Sequence, residues 1–316
     1  MRSRTLLRWI LLLQALAACA VAYALLRHAG LQSAWVAAAA GVLAVLLVRL
    51  SITANNFAMS ARFASPTPDA FRLAPIARLR LFFEEFMATM LHSSWFMAMG
   101  VERERLYPGS ASAPVLLLHG YGCNAGYWTH LARLLDAAGI SHAALDLEPL
   151  LGDIDGYVPR VQRAVDGLCE RTGAAGVVIV AHSMGGLVAR AYMRACGSAR
   201  VAHVFTLGTP HHGTSLAGFG PGKNALQMRR KVETGEGTAG AGPSWLEALA
   251  AAENAHTRAL ITSLYTHHDN IVSPQTSSVL EGAENIAFGG VGHVALGRNP
   301  RVLARLMHEI ARFATS

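Results

Sequence analysis

The stretch VVIVAHSMGG, residues 177–186, decides the fold. Its run of β-branched residues reads as a buried strand, yet no ordinary turn closes it. Ala181, His182, Ser183 and Met184 run directly into Gly185 and Gly186. A strand that bends sharply into a helix at a serine lifts the hydroxyl above the sheet edge. The next residue then offers its backbone N–H at a helix N-terminus. Such a bend brings strand and helix close together, so its neighbours must be small. Ala181, Gly185 and Gly186 meet that demand around Ser183.

The pattern continues on both sides. PVLLLHG from 114, SHAALDL from 141, VAHVFTLG from 201, ALITSLY from 259 and ENIAFGG from 284 read as further strands. Helical patterns at 127–139, 157–169, 187–196 and 301–313 alternate with them. Uniformly apolar strands alternating with helices imply an α/β fold, a mostly parallel central sheet with helices on both faces. Ligands of such sheets gather at the carboxyl ends of the strands. A long interruption at about 215–255 holds GFGPGK, TGEGTAGAGP and the amphipathic SWLEALAAAE, and it reads as a lid-like insertion.

The mean hydropathy of +0.32 is high for a wholly soluble chain, and the excess is local. Residues 6–26 carry only Arg8 and Gln14 as strongly polar groups, and 31–48 carry no charge. Each run approaches the roughly 20 apolar residues that cross a bilayer as a helix. Only Arg27, His28, Ala29 and Gly30 separate them, so residues 1–50 read as a two-helix transmembrane hairpin. Residues 51–113 read as a linker with an amphipathic helix over 75–99, lying on the membrane or packed on the main domain. Residues 114–316 form the main domain. Arg2, Arg4 and Arg8 precede the first span; Arg49, Arg62, Arg72, Arg78 and Arg80 follow the second. The positive-inside rule puts both ends, and the main domain, on the cytoplasmic side of a bacterial inner membrane. The alternative is export: LAAC at 16–19 resembles a lipoprotein box with Cys19 lipidated, although the apolar run continues past it.

The net charge of +7 follows from these arginines, and no Lys/Arg run with interleaved aromatics suggests nucleic acid. The four cysteines lie far apart without a Cys-x-x-Cys pair, which argues against a disulfide framework or a zinc knuckle. Nothing indicates a cofactor or an oligomeric state.

From residue 114 onward the sequence resembles the α/β-hydrolase fold, and within it the bacterial lipases and esterases. AHSMGG is similar to the nucleophile elbow of that family, with Ala181 where glycine is commoner. HGYG at 119–122 resembles its oxyanion loop and LGTPHHGT at 207–214 a lipase signature. HHDNIVSP and GGVGHVAL resemble its acid and histidine loops. The motifs occur in the family's order.

A serine needs an imidazole to take its proton, and in this fold the acid and the histidine follow it in the chain. Asp269 is the sole aspartate after Ser183, and His293 lies between the last strand and the last helix. Ser183 is thus the candidate nucleophile, His293 the base and Asp269 its orienting acid. The backbone N–H groups of Tyr121 and Met184 are the candidate oxyanion donors. His119 and Gly120 are expected to support the oxyanion loop. His182 is expected to point away from the serine hydroxyl. The doublets His211–His212 and His267–His268 lack zinc-ligand spacing, so no metal is expected. Asp146, Asp153 and Asp155 read as capping or loop carboxylates. Tyr127 and Trp128 read equally as acyl-pocket or core residues.

The expected activity is hydrolysis of carboxylic, above all lipid, esters through an acyl-enzyme on Ser183. An acyltransferase, thioesterase or amidase with the same triad is the alternative. A non-catalytic membrane protein on a hydrolase fold is disfavoured by the intact Ser183, Asp269 and His293.

Overall fold

The computed structural model describes residues 3–230 and 244–313, so the TGEGTAGAGP piece of the insertion lies outside the described residues. Its strands are β1 (Arg103–Arg105), β2 (Val115–Leu118), β3 (His142–Leu145), β4 (Val177–His182), β5 (Val201–Leu207), β6 (Ile261–Thr266) and β7 (Glu284–Phe288). They form one sheet in the order β1-β3-β2-β4-β5-β6-β7. β1 runs antiparallel to β3, and the other pairings are parallel. The helices are α1 (Ser3–His28), α2 (Ala34–Arg62), α3 (Pro75–Leu91), α4 (Met97–Met99), α5 (Thr129–Ala137), α6 (Val158–Thr172), α7 (Met184–Cys196), α8 (Lys223–Gln227), α9 (Trp245–Ala251), α10 (Ala255–Ala259) and α11 (Pro300–Ile310).

Alternate residues of the central strands feed two cores. Val177, Ile179 and Ala181 of β4 join Val161, Leu168 and Leu187 of α6 and α7 on one face. Val178 and Val180 join Leu131, Leu135 and Leu306 of α5 and α11 on the other. Burying each such side chain contributes about 1.5–3 kcal/mol, so strand β4 is held from both faces. The chain passes from β2 to β3 on one side and then to β4 on the other. The strand order therefore reverses at β2, and the crevice between the ends of β2 and β4 is where such sheets bind ligands.

Helices α1 and α2 are both long and apolar enough to cross a membrane. They pack tightly, since a Cβ at Gly41 would strike the carbonyl oxygen of Ala18. Helix α2 does not end near residue 50 but continues to Arg62. Its last turns stay helical because they find partners: Thr53 and Ser60 are buried, and the Phe57 ring lies 5.8 Å from that of Phe82 on α3.

Helix α3 packs on the main domain through Leu81, Glu85 and Ala88, while Ile76, Leu79, Phe83 and Met87 stay exposed. The helix expected over 75–99 is interrupted by a π-helical turn at His92–Phe96. The buried His92 ring explains the irregularity, as it bonds the Ala88 carbonyl at 2.8 Å and that of Tyr127 at 3.3 Å.

Near the insertion, Arg190 of α7 and Glu253 form a buried two-pronged pair at 2.6 and 2.9 Å. Arg190 also donates to the His211 carbonyl at 3.2 Å. Breaking a buried pair from one side leaves an uncompensated charge. Arg190→Met should therefore lower stability by about 3 kcal/mol, the low end of that range, because Arg258 remains beside Glu253. Urea unfolding in detergent would measure it; an unchanged midpoint would show that the pair holds nothing.

Candidate active site

Ser183 sits between β4 and α7 at φ 54°, ψ −124°, the one non-glycine residue with positive φ among the described residues. Such a backbone costs about 1–3 kcal/mol and persists only where its surroundings impose it. Here Ser183 N donates to Leu207 O at 2.9 Å, and Thr209 Oγ1 donates to Ser183 O at 2.9 Å. The small neighbours have steric reasons. A Cβ at Gly185 would meet His119 O at 2.8 Å, one at Gly186 would strike Thr209, and one at Gly120 would meet the Ser183 Cβ at 2.9 Å. Ala181 is fully buried in β4.

Asp269 follows β6 and His293 follows β7, and the sheet brings them together. His293 Nδ1 donates to Asp269 Oδ2 at 2.8 Å. The other carboxylate oxygen accepts from Ile271 N at 2.8 Å and Val272 N at 2.7 Å. Asn270 Oδ1 holds the His293 backbone N–H at 3.0 Å. Ser183 joins them indirectly: His182, the residue before it, donates from Nε2 to the His293 carbonyl at 3.1 Å. Ser183 Oγ makes no hydrogen bond among the described residues, and catalytic bonds of this kind often tighten only with substrate bound.

The N–H of Met184 opens helix α7, where first-turn N–H groups lack intrahelical partners. Tyr121 follows Gly120 in the loop after β2. Its hydroxyl donates to Pro221 O at 2.8 Å. His119 fixes that loop: Nε2 accepts from Leu147 N at 2.8 Å, so Nδ1 carries the proton and donates to Gly120 O at 2.9 Å.

The remaining residues singled out from sequence have structural partners. His182 stacks on Tyr127 at 4.2 Å rather than facing the serine. Tyr127 and Trp128 are both fully buried in the core and do not line the cavity beside Ser183. His211 bonds Thr206 Oγ1 at 3.2 Å, and His268 Nδ1 accepts from Gly290 N at 3.1 Å. Asp146 accepts from Ala125 N and Asp153 from Asp155 N, at 2.8 and 2.9 Å.

Glu85 on α3 was not foreseen. It is fully buried, and its two oxygens accept from Val294 N and Ala295 N, each at 2.9 Å, capping the 3-10 turn that follows His293. A signal was present, since Glu85 shares the i, i+4, i+7 face of Leu81 and Ala88. Burial raises the Glu85 carboxyl above its ordinary range, while the two N–H groups and His293 pull it back. For His293, burial alone would lower the imidazole; Asp269, by charge and hydrogen bond, and then Glu85 turn the net direction upward. Burial lowers both His119 and His182; at His119 it outweighs the Gly120 carbonyl and the charges of Asp146, Glu148 and Glu102, and at His182 the charge of His293 adds to it.

Beside Ser183 opens a cavity of about 580 Å³, within the usual size of ligand sites. Apolar side chains dominate its wall, among them Leu216, Phe219, Met228, Ile271 and Val272, with Tyr121 at one side.

Comparison with known proteins agrees with this geometry. Residues 114–239 match the family model described as palmitoyl protein thioesterase. A triacylglycerol lipase from Pseudarthrobacter phenanthrenivorans is 33% identical over 115 residues, 34% of this chain and 35% of that protein. One from Burkholderia plantarii is 33% identical over 115 residues, 34% of this chain and 32% of that protein. The chain thus spans about a third of the length of these relatives. Among solved structures, the mature Bacillus licheniformis lipase aligns with a TM-score of 0.53 at 16% identity, covering 66% of this chain and 97% of that one. Aspergillus fumigatus lipase B aligns with 0.55 at 18% identity, covering 68% and 57%. The fold is that of the α/β-hydrolases.

A base must be neutral to accept a proton, so labelling of Ser183 by a fluorophosphonate should fall as pH drops through the His293 pKa. That midpoint should lie above 6.5, the ordinary imidazole value, given the two carboxylates facing the ring. Glu85→Gln removes one of them and should move the midpoint to lower pH. An unmoved midpoint in a folded variant would reduce Glu85 to a backbone cap.

Proposed function

We propose that the chain is a serine ester hydrolase that cleaves carboxylic esters of lipids through an acyl-enzyme on Ser183. The observation that carries this reading is the buried Asp269–His293 pair, at 2.8 Å, beside a serine held in a left-handed turn. His293 Nε2 takes the Ser183 proton as Oγ attacks the ester carbonyl. Asp269 keeps the Nδ1–H tautomer and stabilises the imidazolium. The N–H groups of Tyr121 and Met184 receive the oxyanion, each worth about 3 kcal/mol of barrier. His293 then protonates the leaving alcohol, and water releases the acid by the same steps in reverse. The apolar wall beside Ser183 suits an acyl chain.

One observation favours a second reading. The match of residues 114–239 to the palmitoyl protein thioesterase model makes a thioester the leading alternative substrate, since the acyl-enzyme is the same.

In this reading α1 and α2 span the membrane, and residues 114–316 form the catalytic domain on the cytoplasmic side. Both helices are built into the fold. Ser3 N donates to Glu148 at 3.0 Å, and Arg8 Nε donates to Ala98 O at 3.1 Å. Lipidation at Cys19 would require cleavage in the middle of α1, removing these contacts and the Ala18 seam against Gly41.

Fluorophosphonate labelling of the detergent-solubilised chain tests the nucleophile without guessing the substrate. Labelling should vanish in Ser183→Ala and fall at least about 10³-fold in rate in His293→Ala, as removal of a triad base does. Tyr121→Phe, which keeps the backbone N–H, should stay within about tenfold of wild type. No labelling of folded wild type, and no ester hydrolysed across an acyl-length series, would sink the reading.

A further inference from the structure

Helix α2 reaches further than an anchor needs to. Its apolar run closes at Arg49, whose guanidinium bonds the hydroxyls of Ser93 and Ser94 in the π-helical turn after α3. Beyond that point the helix carries Asn55, Asn56 and Met59, and all three line the cavity that holds Ser183. At 1.5 Å per residue, Asn56 lies only about 10 Å along the axis from Arg49. Apolar cavity and apolar membrane segment thus follow each other along a single helix. Neither Asn55 nor Asn56 has a side-chain hydrogen-bond partner among the described residues, which leaves two amides at a cavity wall that is mostly apolar.

The end of α2 is also locked to the acid loop. Ser60 Oγ donates to Asp269 O at 2.8 Å, and Ser273 Oγ donates to Ser60 O at 2.8 Å. Gln275 Nε2 closes the group, reaching Asp269 O at 2.9 Å and Ser60 Oγ at 3.2 Å. Ser60, Ser273 and Gln275 are all buried, so these bonds are not exchanged for water. A helix fixed this firmly keeps its cavity face in one register beside Ser183.

We propose that α2 is both a membrane span and the specificity wall of the active site: it receives a long acyl chain from the bilayer, and Met59 with Asn56 sets which chains are accepted. This inference rests on the reading of Ser183 as an acyl-accepting nucleophile and adds the substrate class, a long-chain acyl ester resident in the membrane. The chain lies along the apolar wall of Leu216, Met228 and Val272. The free amides of Asn55 and Asn56 meet the polar ester end.

The test uses the full chain in detergent micelles with p-nitrophenyl butyrate and p-nitrophenyl palmitate. Met59→Trp fills the cavity and should lower the palmitate-to-butyrate ratio of kcat/KM by at least about tenfold, the scale on which a pocket discriminates by size. Met59→Ala, a milder change, should move the ratio the other way. Val48→Trp, on the exposed face of the same helix, should leave it unchanged. If both Met59 variants keep the wild-type ratio while still labelled by fluorophosphonate, the proposal is wrong. It is equally wrong if Val48→Trp shifts the ratio as far as Met59→Trp does. Failure of the underlying hydrolase reading looks different: wild type then cleaves neither ester.

Discussion

The left-handed backbone at Ser183 is the constraint on which the rest of the structure depends. A residue with a Cβ resists that conformation, so the neighbourhood must impose it. The imposing groups are the Leu207 carbonyl on β5 and the Thr209 hydroxyl just beyond it. Both act only if β4 and β5 stay in register and α7 lies close against the sheet. The close approach needs Gly185 and Gly186, since a side chain at either would push α7 away from β2 or from Thr209. Once α7 is seated there, its N-terminus points into the crevice where the strand order reverses, next to the loop from His119. A sheet topology and a three-residue turn therefore define one site, and neither would do so alone.

That dependence explains what could be read in advance. The strands, the turn at Ser183, Asp269 and His293 each announce themselves within a few contiguous residues, because strand periodicity and turn chemistry are local. Asp269 is further singled out as the sole aspartate after Ser183. Glu85, Ser60 and Gln275 were not legible, since their partners lie some two hundred residues away in the chain. Glu85 came nearest, as a carboxylate on the apolar face of α3. The end of α2 escaped for another reason. Hydropathy shows where a helix stops being apolar, whereas this one runs on to Arg62, past Ser60 and its bond to the Asp269 backbone, and ends shortly before Pro66.

The electrostatics around His293 follow from which groups have been given partners. The buried His182 ring lies 4.6 Å from that of His293, and burial pushes its imidazole well below the ordinary value. An imidazolium at His182 would repel a positive charge on the His293 ring. Two carboxylates face His293, and each has peptide N–H groups to offset its own burial. The pairs come from different directions. Asp269 is held by its own loop, whereas Glu85 arrives from α3 and is held by the residues just after the histidine. Removing charge from water is costly unless hydrogen bonds replace it. The N–H pairs are what allow two negative groups to stand beside one buried ring.

The same reasoning bears on the N-terminal helices. An anchor joined to an enzyme by a flexible segment contributes location and nothing else. Here α2 ends in a buried hydroxyl cluster against the backbone of Asp269, and α3 supplies a carboxylate to the turn after His293. The acid and the base of the candidate triad are therefore each braced from outside the 114–316 unit. If those braces were absent, Asp269 O would lose the Ser60 hydroxyl, one of its two side-chain donors, and the N–H groups of Val294 and Ala295 would lose their acceptors, in a buried region. Packing of the N-terminal helices and assembly of the site are thus not separable properties of this chain: the long apolar stretch of α2 is continuous with the segment that holds the acid loop in place.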